Sequence, residues 1–210
     1  MDIRINITPM IFGLMRALRA FVGIIGKPYE TMRTLAREAS LWEMIPIAVI
    51  FFGYFAVASL VKTAAFRPYL LTKQFILLSG GALAGFFLTV ILLYISGKIL
   101  RSTGTFRSIM ISWAYTLYPT VAWFLFTSLL FLILPPPRST RMEGIVFSLL
   151  YIIISTTILS WKIILSYLTI RFSLRFSTGK ILLTALMTGP FVALYYVFLY
   201  RLGIFRVPFL

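Results

Sequence analysis

The stretch Gln74 to Gly97, QFILLSGGALAGFFLTVILLYISG, decides the fold. It carries no charged side chain. A helix that crosses about 30 Å of hydrocarbon needs roughly 20 mostly apolar residues, each rising about 1.5 Å. This run supplies them. It does not alternate apolar and polar residues at a period of two, so it is not a strand of a membrane β-barrel. In lipid the backbone must satisfy its own polar groups, which leaves a helix. Four further runs of the same kind flank it: Trp42 to Val61, Ile109 to Leu134, Ile145 to about Ile170, and Ile181 to Tyr200. The expected fold class is all-α, a polytopic membrane protein with five transmembrane helices, preceded by one or two amphipathic interfacial helices. Residues 1–40 form the N-terminal interfacial segment and 41–210 the five-helix transmembrane domain.

Composition supports this reading. Of 210 residues, 60% are apolar and only 12% charged, and mean hydropathy is +0.99. Soluble domains carry about 25% charged and about 45–50% apolar residues. A water-soluble enzyme, a disordered tail and a disulfide scaffold are excluded. There is no Cys and no His, which removes thiol nucleophiles, thiolate metal sites and the commonest general base. No metal and no cofactor are expected.

The connections are short. Arg67-Pro68, Gly104, Pro135-Pro136-Pro137 and Gly179 mark them, since proline and glycine interrupt helices. Before the first span, Met10 to Gly26 is apolar but holds Arg16 and Arg19. Those two lie broadly on one side of a helix with Gly13, Gly23 and Lys27. Two uncompensated arginines at mid-depth would cost several kcal/mol (about 2.5–3.5 each), so the segment is expected to lie in the interface. Pro28 suits the first position of a second amphipathic helix. Its Glu30, Arg33, Arg37 and Glu38 face away from Tyr29, Met32, Leu35, Ala36 and Ala39.

The cations then set orientation. Arg4, Arg16, Arg19, Lys27, Arg33 and Arg37 share a side with Lys98, Arg101, Arg107, Arg171, Arg175 and Lys180, twelve in all. The other side has seven, and Lys162 falls inside a span. The positive-inside rule places the N-terminus in the cytoplasm and the C-terminus outside. The basic interfacial face (Arg16, Arg19, Lys27, Arg33, Arg37) is expected to meet anionic headgroups, each cation contributing about 1 kcal/mol. No soluble basic fold with stacking aromatics is present, so nucleic acid is not an expected partner.

Candidate sites are few. Gly80, Gly81, Ala84 and Gly85 form small-xxx-small spacings that let helices approach closely, within the bundle or in a homodimer. Lys162 has a snorkelling geometry or an ion pair open to it, and Glu43 is the carboxylate near a matching depth. The two are expected to form an intramembrane polar pair. Pro119 and Pro190 are expected helix kinks, with Ser112, Tyr115 and Thr116 available to the freed carbonyls. No HExxH, GxSxG or phosphate loop occurs. A serine beside Lys162, Ser160 or Ser166, is the remaining nucleophile arrangement. The chain is not expected to be an enzyme, and no catalytic residue is assigned.

Several local patterns together resemble the Yip1-domain family of integral membrane proteins. Lys27-Pro28 leads an amphipathic helix into the first span. Gly104-Thr105-Phe106 precedes the third, followed by Trp113 to Pro119 (WAYTLYP) with Tyr115. Ser160-Trp161-Lys162 occupies the fourth, and Ser177 to Lys180 turns into the fifth. The family-like motif is thus Pro28, Gly104, Phe106, Tyr115, Pro119 and Trp161. The resemblance covers about residues 24–200. It implies a role in membrane organisation or trafficking. Eukaryotic members bind Rab-type GTPases and carry an Asp-Leu-Tyr-Gly-Pro segment that this chain lacks, which puts Rab binding in doubt. The chain is more similar to short prokaryotic members, some associated with ABC-type exporters. A non-enzymatic scaffold or accessory subunit, with a homodimer or another membrane protein as partner, is the first reading. A small transporter or channel, with a polar cavity around Lys162, Glu43 and the kinked third and fifth spans, is the second.

Overall fold

The computed structural model describes residues 8–38, 40–63, 68–133 and 142–204. Helix α1 (Thr8–Gly26) and helix α2 (Pro28–Glu38) precede a single 3-10 turn, Leu41–Glu43. Then follow α3 (Met44–Thr63), α4 (Pro68–Ile99), α5 (Phe106–Tyr115), α6 (Leu117–Ile133), α7 (Met142–Ser173) and α8 (Thr178–Arg201). Five stretches are long and apolar enough to cross a membrane: Leu41–Ser59, Tyr69–Ile99, Phe106–Leu130, Gly144–Ser173 and Thr178–Arg201. They correspond to the five runs read from sequence, and α1 is not among them.

Helix ends follow local chemistry. Pro28 opens α2, and Thr105 caps α5 by accepting from the Ser108 N–H at 3.2 Å. Three helices end in left-handed turns that return a backbone bond across the terminus: Ser102 N to Gly97 O after α4, Phe176 N to Arg171 O after α7, and Ile204 N to Leu199 O after α8. Gly203 serves the last (φ 69°), while Arg101 (φ 60°) and Arg175 (φ 56°) serve the others.

The third span departs from the single helix expected. It breaks at Thr116 into α5 and α6. Pro119 has no N–H to offer the Tyr115 carbonyl one turn back, which weakens the ladder at that point. Of the three residues expected to relieve it, only Thr116 bonds nearby, to the Trp113 carbonyl at 2.7 Å. The Tyr115 hydroxyl is used elsewhere, and Ser112 Oγ is buried without a partner among the described residues. Pro190 lies within α8, which runs on past it.

The main core sits at the end of the bundle that carries α1 and α2. Ile24, Met32, Val90, Leu93, Ile109, Tyr115 and Leu165 are buried there together. A smaller cluster around Phe51, Phe55, Leu78 and Val121 lies towards the other end. Outside these, large apolar side chains are exposed along whole helices, as at Ile145, Val146, Leu149, Ile152 and Ile153 of α7. In water such a surface would be untenable; against lipid tails it needs no cover. Several hydroxyls within the spans are satisfied locally. Ser79, Thr89, Thr184 and Thr188 each donate to the carbonyl one turn earlier, at 2.5–2.9 Å.

Candidate functional site

Glu43 is only 1% exposed, and both carboxylate oxygens are occupied. As the third residue after Ser40 it accepts the Ser40 backbone N–H on Oε1 at 3.0 Å, one half of a capping box. On Oε2 it accepts the Tyr115 hydroxyl at 2.7 Å. A carboxylate can be buried at this membrane edge because each oxygen has a donor.

Lys162 does not share that site. Its ammonium donates to Thr120 Oγ1 at 2.8 Å, across the α6–α7 contact. The expected Lys162–Glu43 pair is therefore not formed. Glu43 is tied to the turn before α3 and to α5, while Lys162 finds its hydroxyl on α6, beyond the break at Thr116. Lys162 lines a cavity of about 240 Å³ within the bundle, with Thr116, Thr120, Ser166 and Tyr196 as polar neighbours among mostly apolar walls. Glu43 does not line it. Ser166 shares the cavity, and Lys162 bonds to Thr120 rather than to a serine.

The small-residue stripe on α4 is divided. Tyr195 of α8 donates its hydroxyl to the Gly81 carbonyl at 2.6 Å. A Cβ on Gly85 would stand 2.8 Å from the Tyr195 ring and 2.9 Å from the Tyr196 hydroxyl. That half is spent on the close approach of α4 and α8. Gly80 and Ala84 are exposed, and a Cβ on Gly80 would meet nothing within 4 Å.

The basic residues gather at one end. Helix α2 is fixed over the ends of α5 and α7: Ser108 Oγ donates to the Ala36 carbonyl at 2.7 Å, and Tyr29 meets Phe172 edge-on at 4.9 Å. Helix α1 is held by its glycines. A Cβ on Gly13 would stand 2.8 Å from the Trp42 Cβ, and one on Gly23 would press on the Thr31 hydroxyl. Gly13 and Gly23 thus turn towards the protein, whereas Arg16 and Arg19 are exposed. Arg16 reaches the Glu38 carbonyl at 3.4 Å, and Lys27 pairs with Glu30 at 3.8 Å. Lys98 lies over Tyr94 and Lys180 over Phe176, and Lys180 also donates to the Leu100 carbonyl. The basic N-terminal face and the loops after α4 and α7 form one platform.

Within the platform lies a polar cleft of about 400 Å³. Arg33 and Arg37 of α2 line it together with Arg171 and Arg175 of the α7 end. The sequence pointed to the first two as part of an interfacial face; the last two counted only towards topology. Their signal was there in SLRFSTGK, an arginine where a helix stop usually has glycine.

The family-like residues hold this end together. Gly104 is buried, and a Cβ there would overlap the Ser173 carbonyl oxygen. Phe106 packs edge-on against Tyr94 at 5.6 Å. Pro119 is buried in α6, and Trp161 packs against the main core. A family model, Yip1 domain, matches residues 22–200. No curated protein and no solved structure matches the chain.

Proposed function

The chain belongs to the Yip1-domain family, and on that premise we propose that it is a non-enzymatic scaffold or accessory subunit in membrane organisation, trafficking or export. It is a multi-pass integral membrane protein with five candidate spans. The observation that supports the proposed role is the basic platform. Two N-terminal helices are locked over the same end of the bundle as the loops after α4 and α7, so cations distant in sequence share one surface. Such a surface suits anionic headgroups and an acidic face on a membrane-protein partner, for example an exporter. The positive-inside rule puts the platform and the N-terminus in the cytoplasm and the C-terminus outside. The exposed Gly80–Ala84 face suits a second copy of the chain.

The test is purification of the full chain from its own membrane in mild detergent, with mass measured by light scattering. A defined complex, dissociated by Arg16→Gln with Arg19→Gln on the exposed face of α1, is the expected result. A strictly monomeric, partner-free protein overturns the proposal. A second reading, a small transporter or channel, is favoured by the cavity that carries Lys162. Flux in liposomes that Lys162→Met abolishes would replace the first reading with it.

A further inference from the structure

The cleft between α2 and the ends of α5 and α7 has features that surface anchoring alone does not require. Four arginines, Arg33, Arg37, Arg171 and Arg175, line a concavity of about 400 Å³. Thr105, at the start of α5, adds a hydroxyl to the same wall, while that of Ser108 is spent on the Ala36 carbonyl. No carboxylate among the described residues lines it. Glu30 and Glu38 stand on α2 but outside the wall, and Glu30 is paired with Lys27. Arg33, Arg37 and Arg175 have no carboxylate partner among the described residues, and Arg171 donates to the Tyr167 hydroxyl at 2.9 Å. Four like charges around one hollow repel one another. What satisfies them is an anion of high charge with several acceptor oxygens, which planar N–H forks match in pairs.

Arg175 shares its backbone strain with Arg101, which lies outside the cleft, but Arg175 lines the cleft as well. It holds the left-handed position that ends α7 (φ 56°), a position where α8 uses Gly203. A side chain there crowds the following carbonyl, a strain that glycine avoids. The strained residue is one of the four that line the cleft. Gly104 does the reverse on the facing wall. Only without a Cβ can its loop close on the Ser173 carbonyl, and this closure brings the N-terminus of α5 to the cleft. At that first turn the Ser108 N–H is already taken by Thr105 Oγ1, and what is left to attract an anion is the positive end of the α5 dipole.

We propose that this cleft binds a phosphate monoester, carried by the headgroup of an anionic lipid such as phosphatidic acid or by a soluble phosphate. A monoester offers up to two charges and three terminal oxygens to the arginine forks; a phosphodiester offers one charge and two free oxygens. The proposal rests on reading this end of the bundle as a membrane-surface platform, and it adds a discrete site to that surface.

The test uses the full chain in phosphatidylcholine nanodiscs doped with phosphatidic acid or, at equal formal charge, with phosphatidylglycerol. Bound lipid is counted by native mass spectrometry, and thermal protection by inorganic phosphate is measured in detergent. Preferential retention of phosphatidic acid assigns the site to lipid. Protection by inorganic phosphate without that retention assigns it to a soluble phosphate. Either is expected to weaken about tenfold with Arg33→Gln, the worth of one charge-assisted hydrogen bond. Arg175→Gly is expected to lose the ligand equally while the ligand-free protein melts no lower, because the substitution relieves the turn. Lys73→Gln, near the start of α4 at the opposite end of the bundle and outside the cleft, leaves binding unchanged. Equal retention of both lipids, indifferent to Arg33→Gln and Arg175→Gly and with no protection by phosphate, overturns the proposal. That failure leaves the partner test on the platform standing, since its readout is a complex and its substitutions lie outside the cleft.

Discussion

Replacing Tyr115 by Phe removes one oxygen atom and leaves the ring in place. Tyr115 is fully buried, so no cavity beyond the hydroxyl opens. What is lost is the 2.7 Å bond to Glu43 Oε2. Glu43 is 1% exposed and its other oxygen is already committed to the Ser40 N–H, so bulk water does not reach the oxygen that loses the hydroxyl. Hydrogen bonds to charged groups contribute about 1.5–3 kcal/mol, and an orphaned buried acceptor costs a similar amount. A loss of about 2 kcal/mol is expected, roughly a thirtyfold fall in the ratio of folded to unfolded protein. The assay is reversible unfolding of the full chain in mixed micelles, followed by tryptophan fluorescence. Tyr118→Phe is the control. Tyr118 is buried beside Tyr115, with ring centroids 5.7 Å apart, but its hydroxyl makes no hydrogen bond among the described residues. That control is expected to change stability by less than about 0.5 kcal/mol, as substitutions away from a bonded group do. Glu43→Gln keeps one acceptor for Ser40 and offers its amide to the Tyr115 oxygen, so Tyr115→Phe should cost less in that background. Equal costs for Tyr115→Phe and Tyr118→Phe, with no coupling to Glu43→Gln, would refute the reasoning.

Other substitutions separate packing from surface. Gly104→Ala is expected to lower stability by about 2 kcal/mol or more, because its methyl meets the backbone oxygen of Ser173 and not a side chain that can swing away; thermal unfolding in detergent reads this, and a cost below about 0.5 kcal/mol would count against it. Gly85→Leu should separate α4 from α8 and break the Tyr195–Gly81 bond, whereas Gly80→Leu should leave the monomer intact; a cysteine cross-link between α4 and α8 distinguishes them. Lys162→Met is expected to leave stability unchanged or to raise it by up to about 2 kcal/mol, since an ammonium with one neutral partner gives way to an apolar stem. A marked loss in the same unfolding assay would mean that Lys162 holds the bundle together.

The five spans were legible because lipid imposes a rule that sequence displays directly: some twenty mostly apolar residues with few charges. That α1 and α2 are helices apart from the five candidate spans was legible from Arg16, Arg19 and Pro28. The break in the third span was half legible. Pro119 announced a weakness, but its place at Thr116 depends on how α5 and α6 seat against their neighbours. The Lys162–Glu43 pair was inferred from depth alone. Depth is a single coordinate, and two side chains at similar depth on different helices need not meet; Tyr115 and Thr120 stand in the rotational positions that decide. The glycine stripe illustrates the same limit. Spacing identified close-packing residues, yet only the position of α8 tells Gly81 and Gly85, which are used, from Gly80 and Ala84, which are free.

Sequence by itself determined the five apolar spans, and by their alternation which loops share an end, because the free energy of placing a helix in hydrocarbon adds along the chain. It also supplied the family, through motifs in a fixed order. Tertiary structure decided which distant residues form a site. Arg33 and Arg37 stand far from Arg171 and Arg175 in the chain, and they reach one cleft because Gly104 lets a loop close on α7 and Ser108 ties α5 to α2. Backbone contacts between separate helices set that geometry, and no term that is local in sequence records them.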